Sequence, residues 1–195
     1  RIKNFFEDFG RKFAAMHKYK SDSYGFYEDN YIGSTPQKNL PEESEKGNWN
    51  EFYFNKRLLF QVKLAERNGY LKEELKNSFI RLEGKYNDIM EGGESFPSLL
   101  HGELWSGNFM VGNSGEPVII DPAVYYGHRE MDLAMMQLFG GFDQELFEVY
   151  HDEFPLEKGF EKRKEICNLY PLMVHVNLFG GGYLSQVEAV LRRWV

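Results

Sequence analysis

His101-Gly102-Glu103-Leu104-Trp105-Ser106-Gly107-Asn108, followed after a short spacer by Asp121-Pro122-Ala123, is the stretch on which the reading of this 195-residue chain turns. Glu103 is followed five positions later by an amide, Asn108, and eighteen positions later by a second carboxylate, Asp121. Phosphoryl transfer can use such a set. The first carboxylate accepts the proton of an attacking hydroxyl, while Asn108 and Asp121 supply the hard oxygen ligands that Mg²⁺ prefers. Leu99-Leu100 lead in as a short apolar strand and Phe109-Met110-Val111 lead out as another. Gly112-Asn113-Ser114-Gly115 tolerates positive φ, and Pro117-Val118-Ile119-Ile120 returns as a buried strand. Antiparallel strands joined by a tight turn have neighbouring termini, so this hairpin brings Asn108 and Asp121 side by side. Taken singly, Asn108 reads as a turn residue, Asp121 as a strand terminator and His101 as a buried hydrogen bonder; the combination is what favours a site.

Outward from this hairpin the chain reads as helices. Phe5, Phe9, Phe13 and Met16 recur at spacings of four, four and three, which predicts a helix over 3–18. His17 at its end reads as a terminal or core hydrogen bonder rather than a ligand. Residues 20–48 show no sustained period and contain Gly25, Gly33, Pro36, Pro41 and Gly47, so they read as a long irregular loop. Its aromatics Tyr24, Phe26, Tyr27 and Tyr31 are expected to pack down near the cleft, and Glu42-Glu43-Ser44-Glu45-Lys46 to form a solvated tip. A helix over 48–67 faces its core with Phe52, Leu59, Val62 and Ala65 and closes at Asn68-Gly69; another over 71–89 does so with Leu71, Leu75, Phe79, Leu82, Tyr86 and Ile89. Gly92-Gly93 and a turn at Pro97 then lead into the strand before His101. Beyond Asp121 a helix is expected over 130–139, then several more, with Pro155 and Gly159 separating 144–154 from 160–169. Gly180-Gly181-Gly182 breaks a helix rather than binding phosphate, since no strand precedes it and no Lys-Ser/Thr follows.

Composition bounds the function. The 195 residues suffice for one well-buried domain, and 42% hydrophobic with 16% aromatic content excludes disorder. A formal charge of −7 argues against a general nucleic-acid or anionic-membrane surface. The lone Cys167 forms no intrachain disulfide and reads as a buried structural thiol in a reducing cytosol. No apolar run approaches the roughly 20 residues needed to cross a bilayer. The expected class is α+β, mainly α-helical, with a small β-hairpin carrying the site, and the expected location is cytoplasmic.

Protein kinases place their catalytic base and Asn on one loop with this same separation, and their metal-binding Asp follows after a hairpin. Leu99 to Asn108, Val118 to Ala123, and Tyr125-Tyr126-Gly127-His128-Arg129-Glu130 running into Asp132-Leu133-Ala134 resemble the fructosamine kinase (ketosamine 3-kinase) family, a branch of the aminoglycoside-phosphotransferase and protein-kinase-like fold. The resemblance extends to Asn30-Tyr31-Ile32-Gly33 through Pro36-Gln37 and to His175 through Tyr183. It implies an enzyme that uses ATP and Mg²⁺ to phosphorylate a sugar hydroxyl of a ketosamine, free or protein-bound. Glu103 would be the base, Asn108 and Asp121 the metal ligands, and Trp105 a wall for the substrate. His175 and Asn30, with Gln37, would shape the sugar side. Asp132 would hold the backbone of the catalytic loop, and His128 and Arg129 would hold Asp132, Glu130 or substrate oxygens.

Two features set this chain apart. The family usually has Asp where Glu103 stands. The Gly-rich loop and strand Lys that hold ATP phosphates in kinase-like folds are not found ahead of residue 101, so the chain is expected to be the C-terminal lobe without the nucleotide-binding lobe, inactive by itself. Other readings are a kinase for another small hydroxyl compound, aminoglycoside- or choline-kinase-like, and a catalytically silent binding protein.

Overall fold

The computed structural model describes residues 4–93 and 96–195. The helix expected over 3–18 is α1, Phe5–His17; residue 3 lies outside the described residues, as do 94 and 95 in the expected Gly92-to-Pro97 turn. Phe5, Phe9 and Phe13 are buried on one face of α1 together with Gly10, Ala14 and His17. Gly10 has a packing reason: a Cβ there would lie 2.6 Å from the carbonyl oxygen of Leu146, so glycine lets α1 press against another helix backbone.

The stretch 20–48 is less irregular than expected. It holds an antiparallel hairpin, β1 (Asn30–Ile32) and β2 (Thr35–Gln37), turning at Gly33 with φ of +53°. Three-residue strands carry too little periodicity to be visible in sequence. Tyr24 is buried as expected, but Tyr27 and Tyr31 are 76% and 63% exposed. Glu45, expected in a solvated tip, is buried: it accepts the N–H of Glu42 and the amide of Asn55 and pairs with Lys56 at 3.3 Å.

The helix expected over 48–67 is continuous but not uniform. Asn48 caps α2 (Trp49–Phe52) by accepting the N–H of Glu51, a π-helical stretch follows over Tyr53–Leu59, and α3 runs Phe60–Arg67. The wider π turns rotate the buried face. Leu58 is fully buried where Leu59 was expected, Tyr53 and Arg57 join it, and Val62 is only half-buried. Helix α4 spans Glu73–Met90 and buries the expected stripe from Leu75 to Ile89.

Strand β3 (Ser98–Leu100) enters the site loop, and β4 (Phe109–Val111) and β5 (Pro117–Ile119) form the expected hairpin. A further strand, β6 (Tyr125–Gly127), pairs antiparallel with β3, setting Leu100 opposite Tyr125. Helices α5 (Glu130–Phe139), α6 (Gln144–Glu153), α7 (Phe160–Cys167), α8 (Leu169–Phe179) and α9 (Leu184–Trp194) complete the chain. The glycine run 180–182 separates α8 from α9, as expected.

Two cores result. The larger gathers α2 to α4, α7 to α9, β3 and β6, and includes buried Cys167, whose thiol burial pushes above its ordinary pKa. The smaller packs α1, α5, α6 and Phe160 around Leu104 of the site loop, so the loop is anchored by a leucine between its two polar ends. The wholly buried pair Arg163–Glu130, with N–O distances of 2.6 and 2.8 Å, ties α5 to α7. Among the described residues no helix is long and apolar enough to cross a membrane.

Candidate active site

The site loop leaves β3 at His101 and turns at Gly102, whose φ is +82°. A Cβ on Gly102 would lie 2.0 Å from the carbonyl oxygen of Ala123, so the 101–103 and 121–123 segments touch at backbone level and only glycine fits between them. Asp132, in the first turn of α5, accepts the N–H of His101 at 2.7 Å and of Gly102 at 2.9 Å, one on each carboxylate oxygen. His101 closes the loop from inside: its Nε2 lies 3.0 Å from the carbonyl of Ile120 and its Nδ1 3.3 Å from the N–H of Glu103. A carbonyl can only accept and an amide N–H can only donate, so this is the neutral Nε2–H tautomer.

Asn108 ends a short 3₁₀ turn, Ser106–Asn108, and is buried. Its side-chain Nδ2 donates to the carbonyl of Glu103 at 2.8 Å, and its own carbonyl accepts the N–H of Ile120 at 2.9 Å. The amide is thereby oriented, with Oδ1 left as the atom able to take a cation. The β4–β5 register sets Phe109 opposite Ile119, which continues to Asn108 beside Ile120, with Asp121 one residue beyond. Asp121 is exposed and has φ of +54°, the left-handed region that Asp tolerates better than most residues but still at a cost. Such an outlier marks a position whose orientation is imposed by its surroundings.

Glu103 is half-buried, and its Oε2 accepts the N–H of Gly33 at 3.1 Å. Burial raises its pKa above the ordinary glutamate value, the Gly33 N–H opposes that rise, and the negative charge of Asp121 adds to it. Trp105 is 44% exposed, and its indole lies over Gly107, where a Cβ would be 2.2 Å from the ring. Ser106 in turn abuts Gly141, just past the end of α5.

The remaining expected site residues divide. Asn30 and Gln37 do not face the site with open amides: Asn30 donates to the carbonyl of Val124 and accepts from Gln37 and Asn39, while Gln37 donates to the carbonyl of Ala123 and accepts from the Tyr170 hydroxyl. These amides hold the β1–β2 hairpin against the segment that follows Asp121. His128 stacks on Trp49, centroids 5.0 Å apart and planes 8° from parallel. Arg129 donates to the Tyr150 hydroxyl and to the carbonyls of Phe154 and Pro155, with its guanidinium 3.5 Å from the Phe154 ring centroid. The expected grip of these two on Asp132 or Glu130 is thus corrected: Arg163 holds Glu130, and His17 stands 3.1 Å from Asp132. His175 donates from Nδ1 to the carbonyl of Pro171 and lies among Phe139, Tyr183 and Phe179 at 4.8, 4.9 and 5.5 Å. Phe139 of that group ends α5, two residues before Gly141, which Ser106 abuts.

Sequence reasoning missed Gly33 as the partner of Glu103; its only trace was a glycine within the Asn30-to-Gln37 run. It also gave no link between His17 and Asp132, which are 115 residues apart.

The donors present suit a hard, phosphate-bound cation. Among the described residues no group of three or more His, Cys, Asp and Glu side chains could hold a metal alone. Mg²⁺ needs no such cage, since it is bound through one or two protein oxygens with phosphate oxygens and water completing its shell, and Asn108 Oδ1 with the Asp121 carboxylate meets that requirement.

The family model described as fructosamine kinase matches residues 2–195. A probable ketoamine kinase of Enterococcus faecium is 41% identical over 187 residues, which cover 96% of this chain and 66% of that protein. The chloroplastic protein-ribulosamine 3-kinase of Oryza sativa subsp. japonica is 44% identical over 184 residues, 93% of this chain and 52% of that protein. The solved structure of a Thermobifida fusca protein assigned as a fructosamine-3-kinase superposes with a TM-score of 0.89 at 34% identity, covering 97% of this chain and 64% of the other. An ADP-bound aminoglycoside phosphotransferase, 13% identical with a TM-score of 0.53, shares the fold. The chain spans about half to two thirds of the length of the curated relatives it matches.

Proposed function

Because the chain belongs to the fructosamine kinase family, we propose that it is the substrate- and metal-holding lobe of an ATP-dependent kinase that phosphorylates a sugar hydroxyl of a ketosamine, whether free or attached to protein. The observation that supports this reading is the closeness of the segments that carry Glu103, Asn108 and Asp121: the Asn108 amide bonds the Glu103 carbonyl, and its carbonyl takes the N–H of Ile120, the residue before Asp121. Glu103 accepts the hydroxyl proton, and its raised pKa makes it a better proton acceptor than an ordinary glutamate. Asn108 and Asp121 hold Mg²⁺, which would neutralise charge on the transferring phosphoryl group. Trp105 walls the sugar, and the cluster of Phe139, His175 and Tyr183 borders it on the side of α5. Residue Asp132 and the His101 imidazole keep the loop in shape. In this reading the purine and the outer phosphates are held largely by chain beyond residues 1–195, which alone transfer no phosphate, and the reducing cytoplasm suits the single buried thiol.

The test uses the full-length protein with Mg-ATP and a glycated lysine, free and within a peptide. Phosphate appearing on the sugar, and lost in Asp121→Ala, supports the reading. Full activity in Asp121→Ala, or a wild-type protein that transfers phosphate to aminoglycosides or choline but to no ketosamine, overturns it. The relatives named for ketoamine or ribulosamine substrates favour the ketosamine over those alternatives.

A further inference from the structure

We propose that His17 is a positioning residue for the loop that carries Glu103, the middle link of a buried hydrogen-bond chain that runs Arg129 to Tyr150 to His17 to Asp132. The inference rests on the phosphotransferase reading above and adds to it a residue from the opposite end of the chain.

The direction of the chain follows from which groups can donate. A guanidinium has no acceptor, so Arg129 Nη1 donates to the Tyr150 oxygen, 3.2 Å away. The hydroxyl lies 2.7 Å from His17 Nδ1 and donates to it, because the Asp132 carboxylate, 3.1 Å from Nε2, calls for the ring proton on Nε2 and leaves Nδ1 an acceptor. An ionised carboxylate only accepts, and the reverse tautomer would set a nitrogen lone pair against the Asp132 oxygen. His17 is fully buried, and burial lowers its pKa more than the neighbouring carboxylate raises it, so it remains neutral.

Geometry gives the chain its consequence. Asp132 bonds the backbone of His101 and Gly102 through both oxygens. Without a third partner from outside the loop, the carboxylate is fixed only by the groups it is meant to fix. His17 supplies that outside reference. It is placed by α1, whose Phe13 ring lies 4.2 Å from the imidazole centroid and whose Gly10 allows the close approach to α6. Tyr150 comes from α6 and Asp132 from α5, so three helices converge on the loop. A shift of 1 Å in a catalytic group costs on the order of a hundredfold in rate, which sets the effect expected if this link is lost.

Gln and Phe separate the hydrogen bond from the packing. Gln places an amide N–H near the position of Nε2, whereas Phe fills the space without a donor. In the full-length protein with Mg-ATP and a glycated lysine, His17→Phe should lower kcat by on the order of a hundredfold with KM for the ketosamine within about threefold, and His17→Gln should recover at least about tenfold of the loss. Equal losses in the two variants, or wild-type rates in His17→Phe, overturn the proposal. Two measurements do not depend on activity. Two-bond ¹⁵N–¹H correlation of the wild-type imidazoles should show His17 neutral with its proton on Nε2; a proton on Nδ1, or on both nitrogens at neutral pH, overturns the proposal. Hydrogen exchange at the His101 and Gly102 amides should speed by at least about tenfold in His17→Phe but not in His17→Gln, and unchanged protection in both variants overturns it as well. A wild-type protein that phosphorylates no ketosamine sinks the phosphotransferase reading instead, and these two measurements still judge the chain.

Discussion

The molecule contains two hairpins flanked by acids and amides, and they use them in opposite ways. Around β1–β2, Asn30, Gln37 and Asn39 are linked to one another, to Tyr170, to the Arg57 guanidinium and to the carbonyls of Glu28, Ala123 and Val124. Their donors and acceptors are engaged, and the effect is to hold one backbone against another. Around β4–β5, Asn108 engages only its nitrogen, Asp121 is exposed in a left-handed conformation, and Glu103 is half-buried with its pKa raised. Here lone pairs remain for something else, at some cost in backbone strain and charge repulsion. In the reading proposed above, the first set of side chains is scaffold and the second is left open for chemistry, a difference that residue type alone does not decide.

The hardest test of this contrast is Asp121→Ala in the full-length protein. Loss of the proposed metal ligand should lower kcat/KM about a thousandfold, equivalent to about 4 kcal/mol of transition-state stabilisation, while unfolding free energy falls by no more than about 1 kcal/mol, because the side chain is exposed and Ala meets only the strain of the left-handed φ. A large drop in stability with little change in rate would reverse the roles of the two hairpins. Gln37→Ala is the mirror experiment. It orphans the buried Tyr170 hydroxyl and removes a donor from the Ala123 carbonyl, so unfolding free energy should fall by about 2 to 3 kcal/mol, with kcat/KM at 25 °C changed by less than about fivefold. If rate falls further than stability, the β1–β2 hairpin belongs to the site and the contrast fails.

How much of this was legible in the sequence follows the same division. Periodicity over ten or more residues located α1, α4 and α5 nearly to their ends, and turn chemistry located β4–β5, because both signals are local. The π-helical stretch was not visible: nothing in Tyr53–Leu59 announces an added residue per turn, yet it moved Leu58 and Arg57 inward. Strand β6 was hidden because its three residues pair with a segment 27 positions earlier, Ser98 to Gly127 being the outer pair. Glu103, Asn108, Asp121 and Asp132 were singled out by spacing and by family likeness, and the structure gives their contacts: Asp132 and Asn108 bond the backbone of residues 101–103, and Asn108 bonds Ile120, next to Asp121. For Asn30 and Arg129 the donor type was legible but not the partners, because a side chain's type states what it can bond to and not what lies within reach. His17 was read correctly as a core hydrogen bonder, but its partner lay 115 residues away.

Smaller effects probe Glu103 itself. Shortening it to Asp withdraws the carboxylate from the Gly33 N–H, a direct bond from the β1–β2 turn to the site loop, and should change kcat by no more than about tenfold, since positioning and cation electrostatics carry most of phosphoryl transfer. A hundredfold change would make the bridge to Gly33 part of the catalytic geometry.

The smallest effect is on stability against pH, and its sign discriminates between the two environments. Burial, with Asp121's charge in support, raises the folded-state pKa of Glu103 above its unfolded value. Between those two values the folded chain binds more protons than the unfolded chain, so stability falls as pH rises through that window and the cost is complete above it. Glu103→Gln removes a group that is unfavourable when charged; relative to wild type it should gain stability as pH climbs through the window and hold a constant advantage beyond. Asp29, beside the β1–β2 hairpin, behaves oppositely. The Lys38 ammonium and the N–H groups of Asn39 and Leu40 outweigh its burial and lower its pKa, so its contribution is present above the unfolded value and lost as pH falls through the folded one. Urea titrations of Glu103→Gln and Asp29→Asn from acid to neutral pH should therefore diverge in opposite directions from wild type. If the Glu103→Gln curve instead falls below wild type as pH rises, the carboxylate is better solvated or paired than its surroundings imply, and the site hairpin is scaffold after all.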